Sequence, residues 1–202
     1  KLVISYNQAV EEAYKTVRTN VQFCCIDKMV KTITVTSATP SEGKTTTCIN
    51  LAASMAAAGL QVLIVDADLR KPVISKRLGS GEMWGITNYI AGKCSAEEVI
   101  TRTDLEGVDL VASGPKPPNP AEIIGSAKFT ELVLTLSSLY DIVILDTPPL
   151  GSVIDAALIS SLTDGTILVV KSKAVNYKSA VRVKEQLEKV EARILGVILN
   201  HM

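Results

Sequence analysis

The chain has 202 residues, 47% of them apolar and 4% aromatic, which suits one α/β core built from Val, Ile, Leu and Ala. Lys plus Arg and Asp plus Glu both number 21, so the formal net charge is zero and no overall basic field favours nucleic acid or an anionic membrane. No run of about 18 apolar residues occurs and no secretory leader opens the sequence, so a cytoplasmic protein that meets a membrane only through a partner is expected.

Residues 8–24 form the first helical candidate. A buried strand follows over Thr32–Ser37, and the Ala-rich stretch 45–58 reads as a helix that Gly59 stops. Val62–Asp66, Ile142–Asp146 and 166–170 are short, nearly continuous Val/Ile runs, the pattern of parallel strands buried on both faces. Segments 108–112 and 194–199 are further strands. Residues 114–120, with four prolines, make a rigid surface loop. Helices are predicted over 129–139, 155–161 and 179–190, the last with Glu and Lys on a solvated face. Strands alternating with helices predict a doubly wound, mainly parallel α/β sheet with helices on both faces, in one domain spanning 1–202. Ligands on such sheets sit beyond the carboxyl ends of the strands. Cys24, Cys25, Cys48 and Cys94 lack metal-ligand spacing and read as reduced, packed thiols. Trp84 reads as a packing residue, and the lone histidine, His201, as a solvated end residue.

Chemistry concentrates in three places. Ala38-Thr-Pro-Ser-Glu-Gly43-Lys44-Thr45 lies between a predicted strand and a predicted helix, the context of a phosphate-binding P-loop. The amides of Ser41, Glu42, Gly43, Lys44 and Thr45, with Thr46 next in the helix, are the candidate nucleotide cradle. Lys44 is expected to reach the β- and γ-oxygens, and the Thr45 hydroxyl to ligate Mg²⁺ of MgATP. Ala38 stands where the pattern has its first Gly, so the chain there must keep a conformation open to alanine. Asp146 ends an apolar strand, where a hard cation or its waters can be held. Asp66 and Asp68, two residues apart after another strand, point the same way if the chain stays extended, which suits one near the metal and one near an attacking hydroxyl. Arg70 and Lys71 are read either as phosphate or partner contacts or as a solvated surface.

Three segments together resemble the cytoplasmic domain of the bacterial tyrosine kinases (BY-kinases) of capsule and exopolysaccharide systems, P-loop ATPases related to the MinD/ParA group. They are Thr36-Ser-Ala-Thr-Pro-Ser-Glu-Gly-Lys-Thr-Thr, Val65-Asp-Ala-Asp-Leu-Arg-Lys-Pro and Tyr140-Asp-Ile-Val-Ile-Leu-Asp-Thr-Pro-Pro. The resemblance implies autophosphorylation on tyrosine between subunits. Asp66 then matches the residue that activates the phenol, Asp68 and Asp146 the magnesium-associated acids, and Asn200 a position that contacts adenine in related ATPases. It further implies ring assembly through an N-terminal helical segment (1–30, ahead of a 31–202 core) by Glu12, Lys15 and Arg18, and a transmembrane activator as partner. Lys15 replaces the family's Arg there and loses its planar fork. The family ends in a tyrosine-rich tail, whereas the tyrosines within residues 1–202, Tyr6, Tyr14, Tyr89, Tyr140 and Tyr177, are scattered. The competing reading is a MinD/ParA-type ATPase switch, whose signature lysine is replaced here by Thr39. A GTPase is disfavoured because no Asn-Lys-x-Asp tetrapeptide occurs.

Overall fold

The structure, a computed structural model, describes residues 8–24, 29–81, 84–172 and 177–200, Tyr177 by its backbone alone. Tyr6, Cys25 and His201 lie outside the described residues. The first half runs α1 (Gln8–Phe23), β1 (Thr32–Ser37), α2 (Lys44–Ala56), β2 (Val62–Asp66), α3 (Ile74–Leu78), α4 (Ile86–Ile90), β3 (Ile100–Arg102) and β4 (Val108–Val111). The second runs α5 (Pro120–Ile124), α6 (Ala127–Leu139), β5 (Ile142–Asp146), α7 (Asp155–Leu162), β6 (Gly165–Lys171), α8 (Tyr177–Lys189) and β7 (Ile194–Asn200).

Seven strands form one sheet in the order β3-β4-β2-β5-β1-β6-β7. All pairings are parallel except β3 with β4. β1, β2 and β5 are buried at every position, and alternate residues feed different cores. Val62 and Ile64 pack with Leu51, Ala52 and Met55 of α2, whereas Leu63 and Val65 pack with Phe129, Leu132 and Leu136 of α6. Helices therefore cover both faces, as expected. A third cluster joins α7 and α8 to β6 through Ala156, Leu168, Val183 and Leu187.

The order places β1 at the centre of the site, with β2 two strands away on one side and β7 two strands away on the other. The segment 114–120 is a loop only as far as Asn119, because Pro120 is buried and opens α5. Proline suits that first-turn position, where a missing N–H costs nothing. β3, α3, α4 and α5 lie outside the sequence expectations. Each has five residues or fewer, too few to show a period. Cys24, Cys48 and Cys94 are free thiols, and Trp84 packs against the α6-side core, both as expected.

The N-terminal helix docks on the core through Tyr14, Val17 and Val21. Arg18 turns inward, its Nη1 donating to the Ser54 carbonyl at 2.6 Å. Lys15 pairs with Glu11 and Glu12 on its own helix, at 3.1 and 2.8 Å. Among the described residues no helix is long and apolar enough to cross a membrane.

Candidate active site

Five strand ends build the site. The loop after β1 closes on itself through Glu42, which is buried: its Oε1 accepts from the amide and the hydroxyl of Thr39. Its Oε2 accepts from the Lys171 amide at the end of β6, 3.1 Å away. The Glu42 side chain is thus the internal strut of the loop, leaving its backbone for a ligand. Thr39, at the lysine position of the switch class, is consumed in the same strut.

Ser41 (φ 65°) and Gly43 (φ 99°) both adopt the left-handed conformation, which turns the chain sharply into α2. That geometry gathers successive backbone N–H groups at the positive end of a 13-residue helix. Ala38 is absent from the positive-φ residues, so alanine is accommodated where the P-loop pattern has glycine. It is buried beneath Gly151, where a Cβ would come within 2.1 Å of the Ala38 carbonyl oxygen.

Thr45 donates to Asp146 Oδ2 at 2.6 Å, joining the helix start to the end of β5. Asp146 is in register with Asp66 on the neighbouring strand β2, and both are buried. Asp66 Oδ2 accepts from the amides of Val73 and Ile74, at 3.1 and 3.0 Å, which holds the start of α3. The other oxygen of each carboxylate, Oδ1, is buried with no hydrogen-bond partner among the described residues. Two buried carboxylates side by side resist ionisation. Burial, then the Asp146 charge, pushes the Asp66 carboxyl up to about 7. Burial pushes Asp146 up to about 6, against the pull of the Thr45 hydroxyl and the Lys44 ammonium.

A cavity of about 530 Å³ opens over the loop, walled by Gly43, Lys44, Thr45, Thr46, Asp68 and the 148–153 segment. Here one expectation needs correction. Asp66 and Asp68 do not point the same way: Asp68 lines the cavity, whereas Asp66 is 1% exposed and lies behind the wall. The chain does not stay extended after β2. Ala67 donates to both Val65 and Asp146 carbonyls, and Asp68 Oδ1 then accepts from the Arg70 and Lys71 amides at 3.2 and 3.0 Å. That turn aims the two carboxylates apart.

Arg70 likewise does more than face solvent. Its Nε and Nη2 donate to the two oxygens of Asp155, at 2.8 and 3.0 Å, tying the loop after β2 to the first residue of α7. Asn200 ends β7 on the opposite side of the loop and donates from Nδ2 to the Glu42 carbonyl at 2.9 Å. Sequence reasoning missed Arg77, whose Nη1 donates to Thr46 Oγ1 at 3.0 Å from the cavity wall. It also missed Asp155 and Gly151. None of the three stands in a recognisable motif, and each reaches the site only because separate loops converge there.

The arrangement is that of a P-loop nucleotide-binding fold, and the comparisons agree. A family model described as an AAA domain matches residues 30–198. The tyrosine-protein kinase YwqD of Bacillus subtilis (strain 168) is 39% identical over 189 residues, 94% of this chain and 80% of its own length. The chain belongs to the bacterial tyrosine-protein kinases. The kinase domain of the Escherichia coli tyrosine kinase ETK superposes with a TM-score of 0.94 at 31% identity, covering 100% of this chain and 78% of that one. The septum site-determining protein MinD of Pyrococcus horikoshii, solved with Mg-ADP, gives a TM-score of 0.74 at 27% identity over 85% of this kinase chain and 70% of its own. Both the kinase resemblance and the MinD-related fold read from the sequence are therefore supported.

Proposed function

We propose that this kinase domain binds MgATP in the cavity over the P-loop and transfers the γ-phosphoryl group to a tyrosine presented by a neighbouring subunit, in the control of capsular or exopolysaccharide synthesis. One observation carries the reading. The Thr45 hydroxyl, the Lys44 ammonium and two buried carboxylates with unpartnered oxygens converge at the start of a helix whose loop amides are gathered by left-handed turns at Ser41 and Gly43.

The donor set fits a small hard cation. Thr45, Asp146 and Asp68 offer oxygen only, and among the described residues no group of three His, Cys, Asp or Glu forms a protein cage. Mg²⁺ keeps several waters and uses few protein ligands, so an open set of this kind suits it. When bound, the ion would offset negative charge on the phosphates. Lys44 would reach the β- and γ-oxygens and stabilise the charge that grows on the bridging oxygen. The phenolic oxygen forms the new bond to phosphorus as the bond to the ADP oxygen breaks, and the phenolic proton passes to Asp68, the acid that faces the cavity. Asp66, buried behind the wall, acts only as a neighbouring charge. Asp68, on the cavity wall, would also orient the incoming hydroxyl and hold a water of the ion. Positioning and electrostatics then supply most of the rate.

Asn200 is suited to the adenine side by its place at the end of β7, where it already braces the loop. Tyr14, Tyr89 and Tyr140 are packed against the domain's own cores, so the acceptor is a tyrosine other than these three. Glu12, exposed, and Lys15, partly exposed and paired with Glu11 and Glu12 on the same helix, are the residues suited to self-association, while Arg18 already bonds to α2. A transmembrane activator is the expected partner and would supply contact with the membrane.

Incubating the domain with MgATP and a tyrosine-bearing acceptor, then reading phosphotyrosine, tests the reaction. Lys44→Met should abolish the signal, and signal that survives it refutes the assignment. The switch reading is disfavoured by Thr39, whose side chain braces Glu42.

A further inference from the structure

Four cationic side chains wall the cavity, and they are not equivalent. Lys44 belongs to the phosphate loop, and Arg70 is neutralised by its two-point pair with Asp155. Lys71 and Arg77 form no ion pair among the described residues, and both are exposed. They flank Val73, an apolar residue that is also exposed. Pro149 and Val153, from the loop after the neighbouring strand β5, line the same cavity. This part of the cavity lies on the β2 side of the P-loop, whereas Asn200 stands on the β7 side. In-line transfer requires the acceptor to approach from the side away from the leaving ADP. If the nucleotide base lies toward β7, the acceptor lies toward β2.

We infer that Lys71, Val73 and Arg77, with Pro149 and Val153, form the acceptor subsite, and that it selects tyrosines with an anionic group one or two residues away. Val73, Pro149 and Val153 provide apolar walls for the phenol ring, with Asp68 at the hydroxyl end. Lys71 and Arg77 stand outside that slot as the counter-charges for a flanking carboxylate or phosphotyrosine. Arg77 spends one N–H on Thr46 Oγ1, which fixes the guanidinium and leaves its other N–H groups to bind an anion. The loop that carries Lys71 is itself held by Arg70 on Asp155. This inference rests on the tyrosine-kinase reading.

The test uses the whole domain with MgATP and four short peptides, each with one acceptor tyrosine. The flanks are glutamate, phosphotyrosine, glutamine or lysine. Two exposed charge contacts should give the anionic peptides a kcat/KM about tenfold above the glutamine peptide, falling as salt is raised. The glutamate and phosphotyrosine peptides separate the two sources of negative charge, and a preference for either supports the subsite. In Lys71→Glu/Arg77→Glu the order should invert in favour of the lysine peptide, a result that mere loss of structure does not produce. Should the double variant fail to fold, Lys71→Glu alone is read in the same way. Equal kcat/KM for all four peptides in the unaltered protein overturns the subsite while leaving the kinase reading intact. A raised KM for ATP with the peptide order unchanged overturns it too, by assigning the cations to the nucleotide. Absence of phosphotyrosine on every peptide would count instead against the kinase reading.

Discussion

Arg70 binds both oxygens of Asp155, and the two ends of that pair sit in different surroundings: the Arg70 side chain is 36% exposed and that of Asp155 1%. The pair fastens the loop after β2 to α7 across the mouth of the cavity. Removing one partner therefore has unequal consequences. Arg70→Ala strands a buried carboxylate, and should cost roughly 2 kcal/mol, below the usual penalty for a broken buried pair because solvent reaches the arginine. For a chain of this size that is a fall in Tm of about 4–8 °C. Asp155→Asn keeps a hydrogen-bond acceptor and leaves only a partly solvated arginine, so it should cost about 1 kcal/mol or less. Thermal unfolding of the two variants checks the order.

Gly43 combines a φ of 99° with close approach to Asn200, whose Nδ2 lies 1.9 Å from where a Cβ would stand. Gly43→Ala should strain the loop and break the Asn200–Glu42 bond, lowering nucleotide affinity by about tenfold or more. Asn200→Ala removes the obstruction but not the backbone strain, so the double variant should recover only part of the loss. Titration with a fluorescent ATP analogue distinguishes the three proteins.

The two buried aspartates make the ligand-free domain sensitive to pH in a defined direction. An acid raised from 3.8 to about 7, as Asp66 is, holds more protons folded than unfolded between those values. Its contribution to stability is present below the lower value and is lost as pH rises through the upper one. The protein without nucleotide should therefore lose stability relative to Asp66→Asn as pH goes from about 5 to about 8, measured as the difference in Tm. Magnesium-dependent nucleotide binding needs the carboxylates ionised, so its affinity should rise over the same interval.

Ala38 tests whether the altered P-loop position is a matter of fit or of function. Its backbone lies in a region open to alanine and its side chain is buried, so Ala38→Gly should cost about 1 kcal/mol through backbone freedom and leave nucleotide binding unchanged. Gly151→Ala should be far worse for binding, because the new Cβ meets the Ala38 backbone, which cannot swing aside. Denaturant unfolding and nucleotide titration on each variant measure the two effects.

Much of the sheet is legible in the amino-acid sequence. Thr32–Ser37, Val62–Asp66 and Ile142–Asp146 have the expected limits, because strands buried on both faces have no choice but to be continuous Val/Ile runs. Lys44 and Thr45 were equally legible, since a P-loop concentrates its function in adjacent residues whose geometry is local. β3 and the five-residue helices α3, α4 and α5 were not legible, and neither was the loop after β2. Asp66 and Asp68 look alike in sequence, yet one ended buried beneath α3 and the other on the cavity wall.

The amino-acid order alone determined the strand pattern, the phosphate loop and the identity of the acids, because those follow from hydrophobic period and from contacts between near neighbours in the chain. Tertiary structure decided which acid faces the cavity, that Arg70 is committed to Asp155, and that Arg77 reaches Thr46. Those pairings span 31 and 85 residues, and they exist only once the sheet order has brought the loops after β1, β2 and β5 to one edge. Burial then raises the proton affinity of Asp66 and Asp146, a property no short stretch of sequence carries.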